Sequence, residues 1–291
     1  MELKEFAMSM AHALQQRVPG DVEVVPQAVR KNNGVVLQGL LFRRECEKSA
    51  PTIYMEPYYE RMQRGDGFSQ VLEEVLSYYE ACSQKGEFQA EFFLQYESVR
   101  ETIVYKLIHY QKNRKLLEEV PHLPYLDLAM VFYSMFTHPK IGTATILIHN
   151  SHLKLWNVTQ RALYAEAKKN TPRLLPAELT PMGEVLEQVF TDSKELHMAL
   201  YVLTNRAHTN GAASLLYPGM LEQCGEACGG DFFVLPSSVH ETILLPYERE
   251  IQVDALRAMV GEINETQVQP QEVLSDSVYF YSQRERKLLV L

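Results

Sequence analysis

Residues 231–246, DFFVLPSSVHETILLP, hold two apolar runs on either side of a polar turn. Short apolar runs bounded by turn residues are typical of buried strands, and Pro236 ends the first run because proline cannot donate a ladder hydrogen bond. We therefore predict a strand-turn-strand element. Its turn carries Ser237, Ser238, His240 and Glu241, which are residue types that enzymes use in nucleophilic catalysis.

The rest of the chain alternates between strand-like runs and helical periodicity, which favours an α+β (mixed α/β) fold. We predict an N-terminal helix over residues 3–18 and then a β-hairpin, because the Asn33-Gly34 turn readily adopts positive φ angles. A helical middle follows, and a mixed sheet with flanking helices forms the C-terminal half. Residues 97–120 fit a helix or, in part, a strand.

Four short segments carry predictions of their own. We expect residues 171–176 (TPRLLP) to be extended, residues 211–217 (GAASLLY) to be a strand and residues 181–190 to be a helix. Residues 142–148 (GTATILI) resemble the segment at 211–217, which suggests an internal duplication.

Composition limits the class of protein. With 291 residues, of which 46% are apolar, the chain can bury a large core. A net charge of −9 disfavours contact with nucleic-acid phosphates and anionic membranes. No apolar run approaches the roughly 20 residues that span a membrane, and the N-terminus has no export signal, so we expect a cytoplasmic location.

Two interpretations of the polar turn stay open. In a catalytic one, Ser238 and His240 share one side of an extended segment and act with Glu241 as the residues of a hydrolase. In a structural one, the serines bind backbone groups of the turn and the other two side chains make local polar contacts. The chain lacks the Gly-x-Ser-x-Gly elbow of many hydrolases.

Ligand-binding candidates lie at the ends of predicted strands. Asn150 and Asn205 each follow an apolar run, and we group Asn210 and Ser237 with them as ligand-binding residues. Asparagine also closes turns by binding its own backbone, which is the structural alternative. Cys224 and the cysteine four residues later would share a helix face, and His149 and His152 have an i, i+3 spacing. We nevertheless predict no metal and no cofactor, because no other Cys or His lies at the short spacing of a structural zinc site and no carboxylate ligand neighbours the two histidines.

Several strings resemble one bacterial family, the domain of unknown function 5688, in the same order and over nearly the whole chain. These strings are KNNGVVLQGLLFRRE, APTIYMEPYYE, VPHLPYLDLAMVFY, NTPRLLPAE, YVLTNRAHTNGAASLLYPG, LPSSVHETILLP and LSDSVYFY. The resemblance implies a bacterial origin and one continuous domain over residues 1–291, with a division into residues 1–120 and 121–291 as the alternative. The family carries no assigned activity, so the resemblance implies no functional residue.

We expect a non-catalytic accessory protein that recognises another protein or a small ligand through its C-terminal half. The absence of a catalytic motif and a composition rich in Tyr and Met favour this function. A hydrolase-like enzyme built on Ser238, His240 and Glu241 is the alternative. The sequence leaves open which of the two is correct.

Overall fold

The computed structural model describes residues 1–44, 52–83, 90–138, 142–183 and 200–291. Its described residues form helices and antiparallel sheets, which confirms the predicted α+β class. Two compact units are present, one made of Met1–Gln95 and Thr137–Ala144 and the other of Tyr96–Phe136 and Thr145–Leu291. The single domain and its division near residue 120 stay predictions.

The bounds of the regular elements are as follows. The α-helices are α1 (Leu3–Gln15), α2 (Glu56–Gln63), α3 (Phe68–Ser83), α4 (Tyr96–Val99), α5 (Arg114–Leu117), α6 (Asn150–Trp156), α7 (Gln160–Leu174), α8 (Met220–Cys228) and α9 (Val253–Thr266). The strands are β1 (Val22–Arg30), β2 (Val36–Arg44), β3 (Thr52–Tyr54), β4 (Ile103–His109), β5 (His122–Tyr125), β6 (Leu128–His138), β7 (Gly142–Leu147), β8 (Ala177–Pro181), β9 (Tyr201–Asn205), β10 (Phe232–Leu235), β11 (Thr242–Pro246), β12 (Tyr279–Ser282) and β13 (Lys287–Val290).

The first unit contains the predicted helix and hairpin. Strands β1 and β2 pair in antiparallel register around a short 3-10 turn in which Asn33 and Gly34 have φ angles of 59° and 73°. Phe6, Met10 and Leu14 of α1 pack against the hairpin, and all three side chains are fully buried. Because residues four apart lie on one face of a helix, this face of α1 forms part of the core of the unit.

The second unit contains a six-stranded antiparallel sheet in the order β13-β12-β10-β11-β9-β8. Its central hairpin, β10 and β11, is the strand-turn-strand element predicted at residues 231–246. Apolar side chains on one face pack with α9, through Leu256 and Val260 of the helix and Phe233 and Leu245 of the sheet. The polar turn of this hairpin therefore lies at the end of two buried strands.

A third sheet is centred on β6, which pairs with β4, β5 and β7. Strands β5 and β6 are joined by a two-residue turn, since Tyr125 pairs with Leu128. Leu126 in this turn has a φ of 55°, a backbone conformation that bulky side chains rarely adopt. The turn orients Asp127, whose contacts are described below.

The strain at Leu126 leads to a stability prediction. Leu126→Gly is expected to raise the free energy of unfolding by about 0.5–1 kcal/mol. The steric strain of leucine at a positive φ costs more than the extra conformational entropy that glycine loses on folding. Leu155→Gly is a matched control. Leu155 is also exposed but lies in α6, so the same change there should cost about 1 kcal/mol. Denaturant unfolding of both variants checks the prediction, which is contradicted if Leu126→Gly is the less stable of the two.

Two of the short-segment predictions are wrong. Residues 171–174 continue α7 although Pro172 lies in it, because the neighbouring Asn170 amide donates to the Arg100 and Ile103 carbonyls and the Thr171 hydroxyl accepts from the Tyr105 N–H. Residues 211–216 form a 3-10 helix and not a strand. Since β7 is a strand, the suggested duplication does not extend to the structure.

The other segment predictions have different outcomes. Residues 97–120 contain β4 between short helices, so the strand alternative holds for their centre. The predicted helix at 181–190 falls largely on residues outside the described ranges, and Pro181 itself ends β8. Within the part of the chain that is described, no helix is long and apolar enough to cross a lipid bilayer.

Candidate functional site

The Ser238 hydroxyl is bound within its own turn. Its Oγ accepts a hydrogen bond from the His240 backbone N–H at 3.0 Å, and the Ser238 main chain forms a β-bridge with Val273. Ser237 is buried, and its carbonyl accepts from the Leu274 N–H at 3.0 Å. The main chains of both serines therefore join the turn to residues 272–275, while the Ser238 hydroxyl binds a backbone group of the turn itself.

The His240 ring is held from two sides. Its Nδ1 accepts from the Asn210 backbone N–H at 3.3 Å, and its Nε2 lies 3.6 Å from Oε1 of Glu272. Because Nδ1 acts as an acceptor, the neutral ring carries its proton on Nε2 and has no lone pair left for the Ser238 proton. The exposed Glu241 is not the carboxylate beside this ring. The catalytic assignment of Ser238, His240 and Glu241 stays a prediction, and this geometry disfavours it.

A loop over residues 205–210 lies beside His240 and is built around a fully buried amide. Asn205 Oδ1 accepts from the backbone N–H groups of Ala207 and Thr209 at 3.1 and 3.3 Å. Its Nδ2 donates to the Thr209 carbonyl at 2.8 Å. One side chain thus satisfies three backbone groups, and Asn205 holds the loop in one conformation.

The backbone of this loop is strained and its outer residues are exposed. His208 and Asn210 have φ angles of 48° and 53°, although neither is glycine. Arg206, Ala207, His208 and Thr209 are all exposed, while Asn210 Nδ2 points inward to the Tyr133 hydroxyl at 3.5 Å. Backbone strain of this kind persists only where the surroundings enforce it, and it is concentrated at binding and active sites.

Gly211 lies where the loop at residues 205–210 contacts the polar turn between β10 and β11, hereafter the hairpin turn. A Cβ atom at this position would lie 2.3 Å from Thr204 Oγ1 and 2.4 Å from the His240 carbonyl oxygen. The Thr204 hydroxyl itself donates to that carbonyl at 2.8 Å. The close approach of two backbones therefore requires glycine, and it brings Asn205, Asn210 and His240 together.

Asn150 lies at a different place from the other ligand-binding candidates. It is the first residue of α6, and its side chain donates to the Glu118 carbonyl at 3.1 Å. Its contacts are those of a residue that joins a helix to the preceding turn. The proposed ligand role of Asn150 stays a prediction.

Metal-type ligands do not converge in the described ranges, where no three His, Cys, Asp or Glu side chains could hold one ion. Cys224 and Cys228 lie on α8 without a bond between them. Burial raises the pKa of the Cys224 thiol to about 12 and that of Cys228 to about 11, so both thiols stay protonated at neutral pH. Cys46 and the side chains of Cys82 and His138 fall outside the described residues.

A carboxylate network is the feature that sequence reasoning missed. Asp127 Oδ2 accepts from the hydroxyls of Ser275 and Ser277 at 2.5 and 3.0 Å, and its Oδ1 accepts from the Tyr279 hydroxyl at 2.5 Å. Ser275 and Tyr279 are fully buried. Burial, followed by the charge of Asp127, raises the pKa of Tyr279 far above its ordinary value, so this hydroxyl remains a hydrogen-bond donor. The strings YLDL and LSDSVYFY contain all four residues and are the one signal that could have pointed to them.

Further charged and titratable side chains lie beside this network. Asp276 forms an ion pair with Lys112 at 2.8 Å and accepts from Asn264 at 2.7 Å. Burial would raise the pKa of Asp276, but the hydrogen bonds from Lys112 and Asn264, together with the charges of Lys112 and His109, outweigh it and leave that pKa below its ordinary value. His109 lies nearby, and burial lowers its pKa. The segment at 272–279 thus contacts both Asp127 and, through Glu272, the ring of His240.

A model of a family of unknown function matches residues 3–283 of this chain. The chain belongs to the DUF5688 family. The match covers nearly its whole length and confirms the resemblance seen in the sequence strings. No curated protein and no solved structure matches it. DUF5688 therefore provides a family but no activity, and the function has to be argued from the geometry of the site.

Proposed function

We propose that this DUF5688 protein is a non-catalytic accessory binding protein that recognises a protein or a small ligand with the loop at residues 205–210. One observation carries the proposal: a fully buried Asn205 holds a strained loop whose outer residues are exposed. A rigid loop loses little conformational entropy when a ligand binds, which favours affinity.

The surroundings of the loop supply polar groups for recognition. The exposed Arg206 and His208 offer hydrogen-bond donors, and the half-exposed His240 lies between Asn210 on one side of its ring and Glu272 on the other. A small number of fixed polar groups beside a buried core is a common composition for a binding site. The roles of Asn205 and Asn210 are then to position the loop, while the residues between them would contact the ligand.

A ligand screen tests this proposal. We expect a small molecule or peptide that binds the loop to raise the melting temperature of the wild-type protein, because ligand that binds only the folded state stabilises it. Arg206→Ala should remove most of that shift. Arg249→Ala is the control, since Arg249 is also exposed but follows the opposite end of β11 from His240. A ligand that stabilises both variants as well as wild type contradicts the assignment of the loop.

The hydrolase alternative has its own test. A fluorophosphonate probe reacts with activated serines, so an enzyme that uses Ser238 would be labelled and its Ser238→Ala variant would not. The binding function predicts equal labelling of the two proteins. Loss of labelling in Ser238→Ala alone would support the hydrolase and count against a non-catalytic role.

A further inference from the structure

Helix α6 begins with a hydrogen bond that only an unprotonated imidazole can make. His149 is the N-cap residue, His152 is the third residue of the helix, and the two form a capping box. The His149 backbone N–H donates to His152 Nδ1 at 3.0 Å. Glutamate or glutamine usually occupies the place of His152 in such a box. An imidazole there accepts the bond when Nδ1 is free of its proton and loses it when Nδ1 is protonated.

The surroundings of His152 contain several features that oppose a positive charge on its ring and one that attracts such a charge. Its ring lies 5.7 Å from the His149 ring and is stacked on Trp156 at 5.6 Å. Burial lowers the pKa of His152 below its ordinary value, and the neighbouring His149 lowers it further. The positive N-terminal end of the helix also opposes a cation, whereas the face of Trp156 attracts one.

Charged groups on the neighbouring elements complete this environment. The turn after α5 contributes Glu118 and Glu119, whose main-chain carbonyls bind Asn150, and the Tyr96 ring packs on Trp156. Within the described ranges, further charged groups nearby are Lys154 on α6 itself, Glu97 and Arg100 beside Tyr96, and Glu166 on α7. The charge that lowers the pKa of His152 is that of His149.

We propose that the bond between His149 and His152 makes the first turn of α6 a pH-sensitive switch, closed at neutral pH and open in acid. Because the pKa of His152 is lower in the folded protein than its ordinary value of 6.5, the unfolded state binds the proton more tightly. The stabilisation by this group is therefore complete above about pH 6.5 and is lost as the pH falls through the folded-state pKa. Opening breaks the cap and loosens the contact of Trp156 with Tyr96. This switch is independent of the function proposed for residues 205–210.

The full chain has a built-in reporter, because Trp156 is its single tryptophan. We expect its fluorescence to stay constant above about pH 6.5 and to change between about pH 6.5 and about pH 5, with a parallel loss of roughly fivefold in the hydrogen-exchange protection of the His149 amide. In His152→Gln the amide oxygen keeps the cap without titrating, so the protection should stay constant over this range. In His149→Asn the transition should move to higher pH, since the neighbouring imidazole that lowers the pKa of His152 is removed.

His12→Gln is the matched control, because His12 is exposed on α1 and the transition should persist unchanged in that variant. Constant protection of the His149 amide in wild type across this pH range would overturn the proposal. So would a His152→Gln protein that keeps the wild-type transition. NMR titration of the His152 ring adds a measurement that needs no variant: its midpoint must coincide with the loss of protection, and a midpoint apart from it also overturns the switch.

Discussion

Gly211→Ala is expected to lower the free energy of unfolding by about 3 kcal/mol, an effect at the upper end for overpacking. The new Cβ would lie 2.4 Å from the His240 carbonyl oxygen and 2.8 Å from the Asn205 backbone nitrogen. Neither backbone atom can move without separating the loop at residues 205–210 from the hairpin turn. The change should therefore also abolish any ligand binding by the loop.

Gly261→Ala is the control for this change. Gly261 lies in α9, and a Cβ there would meet no atom within 4 Å. Alanine is the better helix former, so this variant should be more stable by about 0.5–1 kcal/mol. Thermal unfolding of the two variants compares the position with a steric overlap to the position without one. A Gly211→Ala protein as stable as Gly261→Ala would show that the new Cβ does not overlap the His240 carbonyl oxygen.

Asp127→Ala is expected to cost about 3–5 kcal/mol, because it leaves three hydroxyl donors without their acceptor. Two of these donors, on Ser275 and Tyr279, are fully buried and cannot turn to solvent. Asp127→Asn should cost less, since one amide oxygen still accepts while the amide nitrogen faces a donor. Denaturant unfolding measures both losses.

The neighbouring carboxylate supplies a control. Asp276 is 55% exposed in its ion pair with Lys112, and exposed pairs contribute about 0–1 kcal/mol, so Asp276→Asn should have a small effect. A double-mutant cycle between Asp127→Asn and Tyr279→Phe should show coupling, because each change removes one end of the same hydrogen bond. Additive effects of these two changes, or a loss in Asp276→Asn as large as in Asp127→Ala, would contradict a central role for Asp127.

The Asp127 network and the surroundings of His240 are connected through one segment, residues 272–275. Ser275 and Glu272 lie three residues apart on a segment that pairs with the hairpin turn, through the Ser275 N–H to Pro236 and the Val239 N–H to Glu272. Asp127 holds one end of this segment and His240 contacts the other. A loss of the network should therefore displace Glu272 from the imidazole.

Local patterns in the sequence determined much of the fold. The i, i+4 spacing of Phe6, Met10 and Leu14 predicted α1, and Asn33-Gly34 predicted the first hairpin, because both signals depend only on residues that are close along the chain. The apolar runs on either side of Ser237 and Ser238 predicted β10 and β11 for the same reason. The family was also evident from the sequence strings alone.

Only the tertiary structure decided the conformation of residues 211–217 and the surroundings of the candidate residues. GAASLLY is a short apolar run of the kind that predicts a strand, yet the contact of Gly211 with the His240 carbonyl and the bond from Ser214 to the Thr204 carbonyl hold residues 211–216 as a 3-10 helix. The partner of His240 is Glu272 and not the adjacent Glu241, and the partners of Asp127 lie about 150 residues away in the chain. Sequence periodicity reports which residues face the core, whereas hydrogen-bond partners depend on which distant segments the folded core brings together.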